Sequence, residues 1–212
     1  MVYELFVINL FIDDSLGDDA DGIANGVFMA DEEYSYDLRI TKDRIAVLIG
    51  SKGDTKTDLE KETSCKINVD SKEGDVTISG KDAISLFALR EVIKAISRGF
   101  NPEIAKQLLK QDYILEVISL NDYSKEQSHQ LRLKGRVIGA DGKSRNTLES
   151  LTDCSISVYG KTIAMIGSVE NIGSCKRAVE NLLNGSPHAN VYKMLERQRK
   201  QSKQNDLDGP GF

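Results

Sequence analysis

The chain has 212 residues, of which 40% are hydrophobic and 29% charged, and its formal net charge is −5. This composition is typical of a globular protein with room for one large domain or two small ones. It has no apolar run of about twenty residues, which excludes a membrane-spanning helix. The three cysteines are odd in number and lack the spacing of a metal site, which predicts reduced thiols, no metal and a cytoplasmic location.

The charge is distributed unevenly along the chain. Residues 1–37 contain ten Asp or Glu and no Lys or Arg, whereas residues 38–212 contain 23 acids and 28 bases. We therefore predict an acidic, flexible leader over residues 1–35 joined to a mildly basic body. The asymmetry indicates a polyanionic partner, although a solvated surface with a disordered tail explains it equally well. Initiation at Met29 is an alternative start that would remove the apolar run at residues 2–12.

The body contains one unit twice, offset by 89 positions. Ile49-Gly50-Ser51-Lys52-Gly53 aligns with Ile138-Gly139-Ala140-Asp141-Gly142, and Leu59-Glu60 aligns with Leu148-Glu149. In chain order, periodicity predicts a strand, two helices, two strands and a helix in each copy. In the first copy these are residues 34–40, 42–49, 54–63, 65–70, 75–80 and 83–96, with Asp54 as the cap of the second helix. In the second they are residues 112–120, 133–138, 143–153, 154–160, 162–167 and 171–183.

The segment Gly142-Lys143-Ser144 resembles the end of a nucleotide-binding loop. That motif needs a further glycine five positions before Gly142, where this chain has Val137. In the first copy Asp54 stands at the position of Lys143. The sequence therefore argues against nucleoside triphosphate binding, and no cofactor is predicted.

What remains is Ile-Gly-x-x-Gly between two short helices, twice. "VLIGSKGDTKTDLE" and "RVIGADGKSRNTLE" resemble the type I KH (K-homology) domain. The resemblance implies an α+β fold with two tandem βααββα domains, each a three-stranded sheet backed by helices, and an extra closing helix. The expected bounds are 36–111 and 112–204, followed by a flexible tail at 205–212. In KH domains this loop clamps the backbone of about four single-stranded nucleotides. The alternative is a pair of helix-joining turns without a ligand.

The candidate RNA-binding residues lie in and beside the two loops. They are Ile49, Gly50, Ser51, Lys52, Gly53 and Lys56 in the first copy, and Arg136, Val137, Ile138, Gly139, Ala140, Asp141, Gly142, Lys143 and Arg145 in the second. Residues 132–149 hold five bases against two acids, whereas residues 43–62 hold four bases against five acids. We therefore expect the second copy to bind RNA more strongly, with Lys143 and Arg145 reaching phosphate. The first copy is either a weaker binder or a protein-docking copy.

A narrower resemblance rests on the ends of the copies, "SRGFNPEIAKQLL" and "LLNGSPHANVYKMLE". These are similar to the ribosome-assembly KH proteins known as partner of Nob, or Dim. The resemblance implies binding to the 3′ region of small-subunit rRNA, beside the endonuclease that trims that end. It also implies association with the alpha subunit of translation initiation factor two, and no enzymatic activity. The alternatives are an exosome-type RNA-degradation adaptor, a docking scaffold with vestigial KH folds, and a metal-dependent nuclease using the acidic leader. The basic closing helix either extends the RNA track or is a solvated helix.

Overall fold

A computed structural model describes residues 27–30, 33–71 and 74–207. The first repeat contains β1 (Val27–Ala30), β2 (Glu33–Arg39), α1 (Lys42–Ile49), α2 (Asp54–Thr63), β3 (Lys66–Asp70), β4 (Asp75–Gly80), α3 (Ala83–Ser97) and the short α4 (Pro102–Ala105). The second contains β5 (Tyr113–Ser119), α5 (Gln127–Ile138), α6 (Lys143–Thr152), β6 (Ser155–Tyr159), β7 (Thr162–Ser168), α7 (Val169–Leu183) and α8 (His188–Leu207). The predicted α+β class with two KH-type repeats is confirmed.

Each repeat has one antiparallel sheet with its last strand in the middle. The strand order is β1-β2-β4-β3 in the first repeat and β5-β7-β6 in the second. β1 lies within the range predicted as a leader, and Val27 pairs with Tyr36 of β2. The described sheet therefore begins before residue 36. β1 can pair there because the outer edge of β2 has backbone N–H and C=O groups without a partner strand. Residues 1–26, and residues 208–212 of the predicted tail, lie outside the described residues.

The cap predicted for α2 is wrong in detail. Asp54 already has helical angles, φ −58 and ψ −49. The residue before the helix is Gly53, which has left-handed angles and no side chain with which to cap the helix. Asp54 is therefore the first helical residue, and its carboxylate lies near the positive end of the helix dipole.

The two sheets differ in the face that points away from their own helices. In the first repeat this face is polar and at least partly exposed, and it carries Ser35, Asp37, Thr77 and Ser79. The equivalent residues of the second repeat are apolar: Leu115, Val117, Ala164 and Ile166. Ala164 and Ile166 are fully buried in the core of the first repeat. The outer face of the second sheet therefore packs against the first repeat and joins the two repeats.

Polar contacts fix this junction at one end. The Ser157 hydroxyl donates to the carbonyl oxygen of Arg98 at 2.9 Å. Tyr159 donates its hydroxyl hydrogen to Asp43 at the start of α1, and this hydrogen bond lowers the pKa of the Asp43 carboxyl. Gly99 lies so close that an added Cβ would be 2.6 Å from the Ser157 hydroxyl oxygen. The ends of α3 and α1 are therefore held directly on β6.

Candidate nucleic-acid interface

The two Gly-x-x-Gly loops have nearly identical backbones. Gly50 has φ 73 and ψ −175, and Gly139 has φ 73 and ψ 175, a conformation essentially restricted to glycine. A Cβ on Gly50 would lie 2.2 Å from the Thr55 hydroxyl oxygen, and one on Gly139 would lie 2.7 Å from the Ser144 backbone nitrogen. The first glycine of each loop is therefore required both by its dihedral angles and by the close approach of the following helix.

The second glycine of each loop faces open space. Gly53 and Gly142 have left-handed angles, with φ 88 and φ 75, and an added Cβ would meet no atom within 4 Å at either position. Each helix starts directly after this glycine, so the positive end of its dipole lies beside the open face. The first N–H of each helix is already bonded, Asp54 N–H to the carbonyl oxygen of Ser51 and Lys143 N–H to that of Ala140. The arrangement leaves room for a phosphate to approach the backbone.

The tips of the loops carry opposite charges at equivalent positions. Lys52 and Asp141 are both exposed and both left-handed, with φ 55 and φ 52. One residue beyond the second glycine the order is reversed, since Asp54 follows the first loop and Lys143 the second. Within the described residues the Lys143 ammonium has no ion-pair or hydrogen-bond partner, so it is available to an anion.

Two glutamates at equivalent positions of the repeats, which the predicted site did not include, orient the basic residues behind the loops. Glu60 accepts a hydrogen bond from the Ile67 backbone N–H at 2.8 Å, and Glu149 accepts the equivalent bond from Ile156 at 2.7 Å. Each carboxylate also lies near a base of the site, with Lys56 Nζ at 3.9 Å from Glu60 and Arg145 Nε at 3.7 Å from Glu149. The aligned Leu-Glu pair was the sequence signal that pointed to these glutamates.

Val137 and Arg136 are placed differently from the prediction. Val137 is fully buried in the core of the second repeat, because the helical period turns it inward, whereas its neighbour Ile138 is 36% exposed. Arg136 directs its guanidinium at the end of α7, donating to the carbonyl oxygens of Leu182 at 2.8 Å and Ser186 at 2.7 Å. Neither side chain is presented at the open face of the loop.

The first repeat has the same construction with more acid around it. Arg44 donates to the carbonyl oxygen of Ile96 at the end of α3, at 2.7 Å, as Arg136 does at the end of α7. The acids of α2 are partly neutralised from outside the helix, since Lys106 Nζ lies 2.7 Å from Glu62 and 4.0 Å from Asp58. Ile49 is half-buried at the position equivalent to Ile138. Helix α2 still carries four acids against two bases, whereas α6 carries one acid against two bases, so a phosphate meets more negative charge beside the first loop.

Comparison with known proteins agrees with this geometry. Residues 35–95 match the KH domain model, and residues 114–200 match the second KH domain of the PNO1 type, described as a eukaryotic-type (type I) KH domain. The chain is 49% identical over 170 residues to a KH domain-containing protein of Methanocaldococcus jannaschii, covering 78% of this chain and 74% of the relative. It is 44% identical to Dim2p of Pyrococcus horikoshii OT3, with a TM-score of 0.73, covering 77% of this chain and 98% of that structure.

The chain belongs to the tandem KH-domain family of Dim2 and Pno1 proteins. Another solved structure of this family is a complex of a/eIF2alpha, aDim2p and rRNA from Pyrococcus horikoshii OT3, with 43% identity and a TM-score of 0.75, covering 80% of this chain and 96% of that one. The RNA-binding protein pno1 of Dictyostelium discoideum is 33% identical over 119 residues, which are 55% of this chain and 50% of the relative. The chain therefore matches only about half the length of this eukaryotic family member.

The described residues also bear on metal-dependent and membrane-spanning classes of protein. Within residues 27–30, 33–71 and 74–207, no group of three or more His, Cys, Asp or Glu side chains is arranged to hold a metal ion. None of the helices in this described part is long and apolar enough to cross a membrane. Of the acidic residues in the predicted leader, on which a metal-dependent nuclease would depend, Glu33 lies at the start of β2 and the others lie outside the described part of the chain.

Proposed function

We propose that this protein binds single-stranded RNA through the Gly-x-x-Gly loop of its second repeat and acts as a ribosome-assembly factor at the 3′ region of small-subunit rRNA. The single observation that carries the proposal is the open outer face of Gly142 beside the start of α6, with the unpaired Lys143 next to it. The family relationship, which includes a structure of aDim2p with rRNA and a/eIF2alpha, supports the choice of RNA.

The contacts follow from the local geometry. The sugar–phosphate backbone lies over Gly142, where no side chain blocks its approach and the positive end of the α6 dipole attracts a phosphate. Lys143 and Arg145 add positive charge, and Glu149 keeps Arg145 oriented along α6. Ile138, which is 36% exposed, offers an apolar surface to a base. Arg136 and Val137 serve this site by fixing α5 in place rather than by touching RNA.

The first repeat has a different role in this proposal. Its loop has the required backbone, but Asp54 replaces the lysine and the exposed part of α2 is acidic. We assign it a weaker hold on RNA and a role in docking a protein. The alpha subunit of initiation factor two is the first candidate, from the complex described above, and the rRNA 3′-end endonuclease is the second, from family resemblance. The protein itself binds rather than cleaves RNA, and it acts in the cytoplasm.

Matched substitutions in the two loops test the proposal. Ala140→Asp and Ser51→Asp add one negative charge at equivalent, exposed positions. We expect Ala140→Asp to weaken binding of a short RNA matching the 3′ end of small-subunit rRNA about tenfold and to reduce the dependence of affinity on salt. Ser51→Asp should change affinity less than about twofold, since an exposed charge far from phosphate is screened. Equal affinities for both variants and the unmodified protein would favour a docking scaffold with vestigial KH folds.

The same RNA, labelled and incubated with magnesium or manganese, separates a binding protein from a nuclease. We expect the RNA to remain intact. Cleavage that depends on the metal and on the protein would refute the non-enzymatic part of the proposal.

A further inference from the structure

Helix α8 carries unpaired positive charge on its outer face. Lys193, Arg197 and Lys200 are exposed and lie at helical spacing, four and three residues apart. Within the described residues none of these three side chains has an ion-pair or hydrogen-bond partner. We call these three residues the α8 ridge. At 1.5 Å rise per residue the ridge is about 10 Å long, so its cations lie close enough to attract neighbouring phosphates of one strand.

The ridge is rigidly attached to the repeat that carries the second loop. At the start of α8, His188 Nε2 lies within 2.8 Å of the carbonyl oxygen of Arg136, three residues before Gly139. Near the other end, Arg199 donates to the carbonyl oxygen of Ser150 at 2.7 Å and lies 3.7 Å from Asp153. Val191 and Leu195 are buried between these anchors. Of the four basic residues Lys193, Arg197, Arg199 and Lys200, one thus anchors the helix and three face outward.

A shallow, solvent-open depression of about 390 Å³ lies between the side chains on the same face of α8, and we call it the α8 cavity. Its lining combines two ridge cations with amide side chains and one thioether: Asn190, Lys193, Met194, Arg197, Gln198 and Gln201. Met194 is held from behind, because the Asn181 side-chain amide lies 3.8 Å from its sulfur. Amides donate to and accept from base edges, while a methionine side chain provides an apolar contact for a base. The lining therefore suits nucleotides better than a simple anion.

We propose that the α8 ridge and its cavity form a second RNA-binding site, which takes single-stranded nucleotides flanking those held at the second loop. The site begins close to that loop, since Lys193 is only about 7.5 Å along the helix from His188. Lys193, Arg197 and Lys200 contact phosphates, and the cavity receives a base. The proposal rests on the RNA-binding function proposed above, and it predicts that affinity grows with RNA length beyond the nucleotides that fill the loop.

An acidic protein segment is the competing occupant, and two features argue against it. A carboxylate-rich peptide would use the three cations but would leave the amides and Met194 without a matched role. The helix that carries the ridge also begins against the end of α5, three residues before the second loop, so one strand can extend from the loop to the ridge.

The test compares two RNAs and two charge-matched variants. The first RNA fills only the loop, about four nucleotides, and the second is the same RNA extended by uridines at both ends to about sixteen. The test variant is Lys193→Gln/Arg197→Gln/Lys200→Gln. The control variant, Lys42→Gln/Lys66→Gln/Lys81→Gln, removes three exposed charges from the first repeat, and none of these lysines has a side-chain partner within the described residues.

We expect the test variant to bind the short RNA within about twofold of the unmodified protein and to lose roughly tenfold in affinity for the long RNA. Its salt slope for the long RNA should fall by about 2, since each lost phosphate contact on a single strand removes about 0.7. The control variant should bind both RNAs as the unmodified protein does. Photocrosslinking from 4-thiouridine in the extensions should map to residues 190–201.

Other outcomes overturn the proposal in distinguishable ways. If the test variant binds both RNAs normally, the ridge is not an RNA site, while the proposed function stands. If the unmodified protein binds neither RNA, both proposals fail. If the test variant keeps RNA binding but loses binding to polyglutamate, α8 docks an acidic protein instead.

Discussion

Replacing Gly139 by alanine should damage the fold far more than replacing Gly142, although the two glycines belong to one loop. Gly139 has φ 73 and ψ 175, and a Cβ there would lie 2.7 Å from both the backbone nitrogen and the Cβ of Ser144. Gly142 has φ 75 and ψ 8, and a Cβ there would meet nothing within 4 Å. Gly139 is therefore required by its dihedral angles and by the contact with Ser144, whereas Gly142 is favoured by its dihedral angles alone.

The difference in the free energy of unfolding can be worked out from these contacts. At Gly139 the glycine-only conformation costs an alanine about 1–3 kcal/mol. Forcing the start of α6 away from the new methyl adds about 1–3 kcal/mol more. At Gly142 the left-handed conformation costs about 1–2 kcal/mol. The unfolded chain has less conformational entropy with alanine than with glycine, which offsets about 0.4–1 kcal/mol of the loss at either position. With this entropy effect counted at both positions, we expect losses of roughly 3 kcal/mol for Gly139→Ala and roughly 1 kcal/mol for Gly142→Ala.

Urea unfolding of both variants, followed by far-ultraviolet circular dichroism, measures this difference. Gly142→Ala should remain folded, but it should bind the short RNA less tightly than the unmodified protein does, because its methyl group projects from the face where the phosphate approaches. Losses of unfolding free energy that agree within about 1 kcal/mol would refute the reasoning, since they would mean that Ser144 can move aside cheaply. Gly50→Ala should repeat the larger loss in the first repeat.

Two further substitutions test the junction and the arginine. Ile166→Ser should reduce the free energy of unfolding by about 2–4 kcal/mol in urea titrations, because Ile166 is fully buried between the repeats. The matched control Ser79→Ile, at the equivalent place on the open face, should change the free energy of unfolding by under about 0.5 kcal/mol. Equal losses for the two variants would contradict the assignment of the two faces. Arg136→Gln should reduce the free energy of unfolding by about 2 kcal/mol, since two charge-assisted hydrogen bonds to carbonyls are lost, and it should leave the salt dependence of RNA binding unchanged. A salt-dependence slope smaller by about 0.7, with normal stability, would mean that Arg136 contacts RNA instead.

The sequence was sufficient for the order of elements and the loop, because both depend on local chemistry. Apolar spacing marks α3 and α7, and glycines three apart mark positions where only glycine fits. Arg136 illustrates what local reading misses. Its two acceptor carbonyls, on Leu182 and Ser186, are 46 and 50 residues away in the chain. A count of local charge therefore includes Arg136 among the bases available to RNA. Val137 was misplaced for a smaller reason, a rotation of one residue about the helix axis.

The contact between the repeats was also non-local, yet its trace is visible in the sequence. β4, "DVTISG", alternates between apolar and polar residues, as expected of a sheet with one solvated face. β7, "TIAMIGS", has an uninterrupted apolar run from Ile163 to Ile166, and its residues are buried from Thr162 to Gly167. The absence of alternation indicates a strand covered on both faces, although it cannot say by what. The pairing of β1 with β2 left a weaker trace, because four residues carry little periodicity.

The unequal sheet faces also bear on self-association. A duplicated unit that docks its sheet on the back of its twin makes a head-to-tail contact, and a contact of that kind extends without limit unless it closes into a ring. In this protein the sheet of the first repeat is not suited to dock on a second molecule in the same way. Its exposed face carries Ser35, Asp37, Thr77 and Ser79, where the second sheet has the apolar residues that contact the first repeat. The first repeat thus acts as a terminating cap, as polar end units do in repeat proteins. The four polar residues therefore disfavour a further contact of the kind that joins the two repeats.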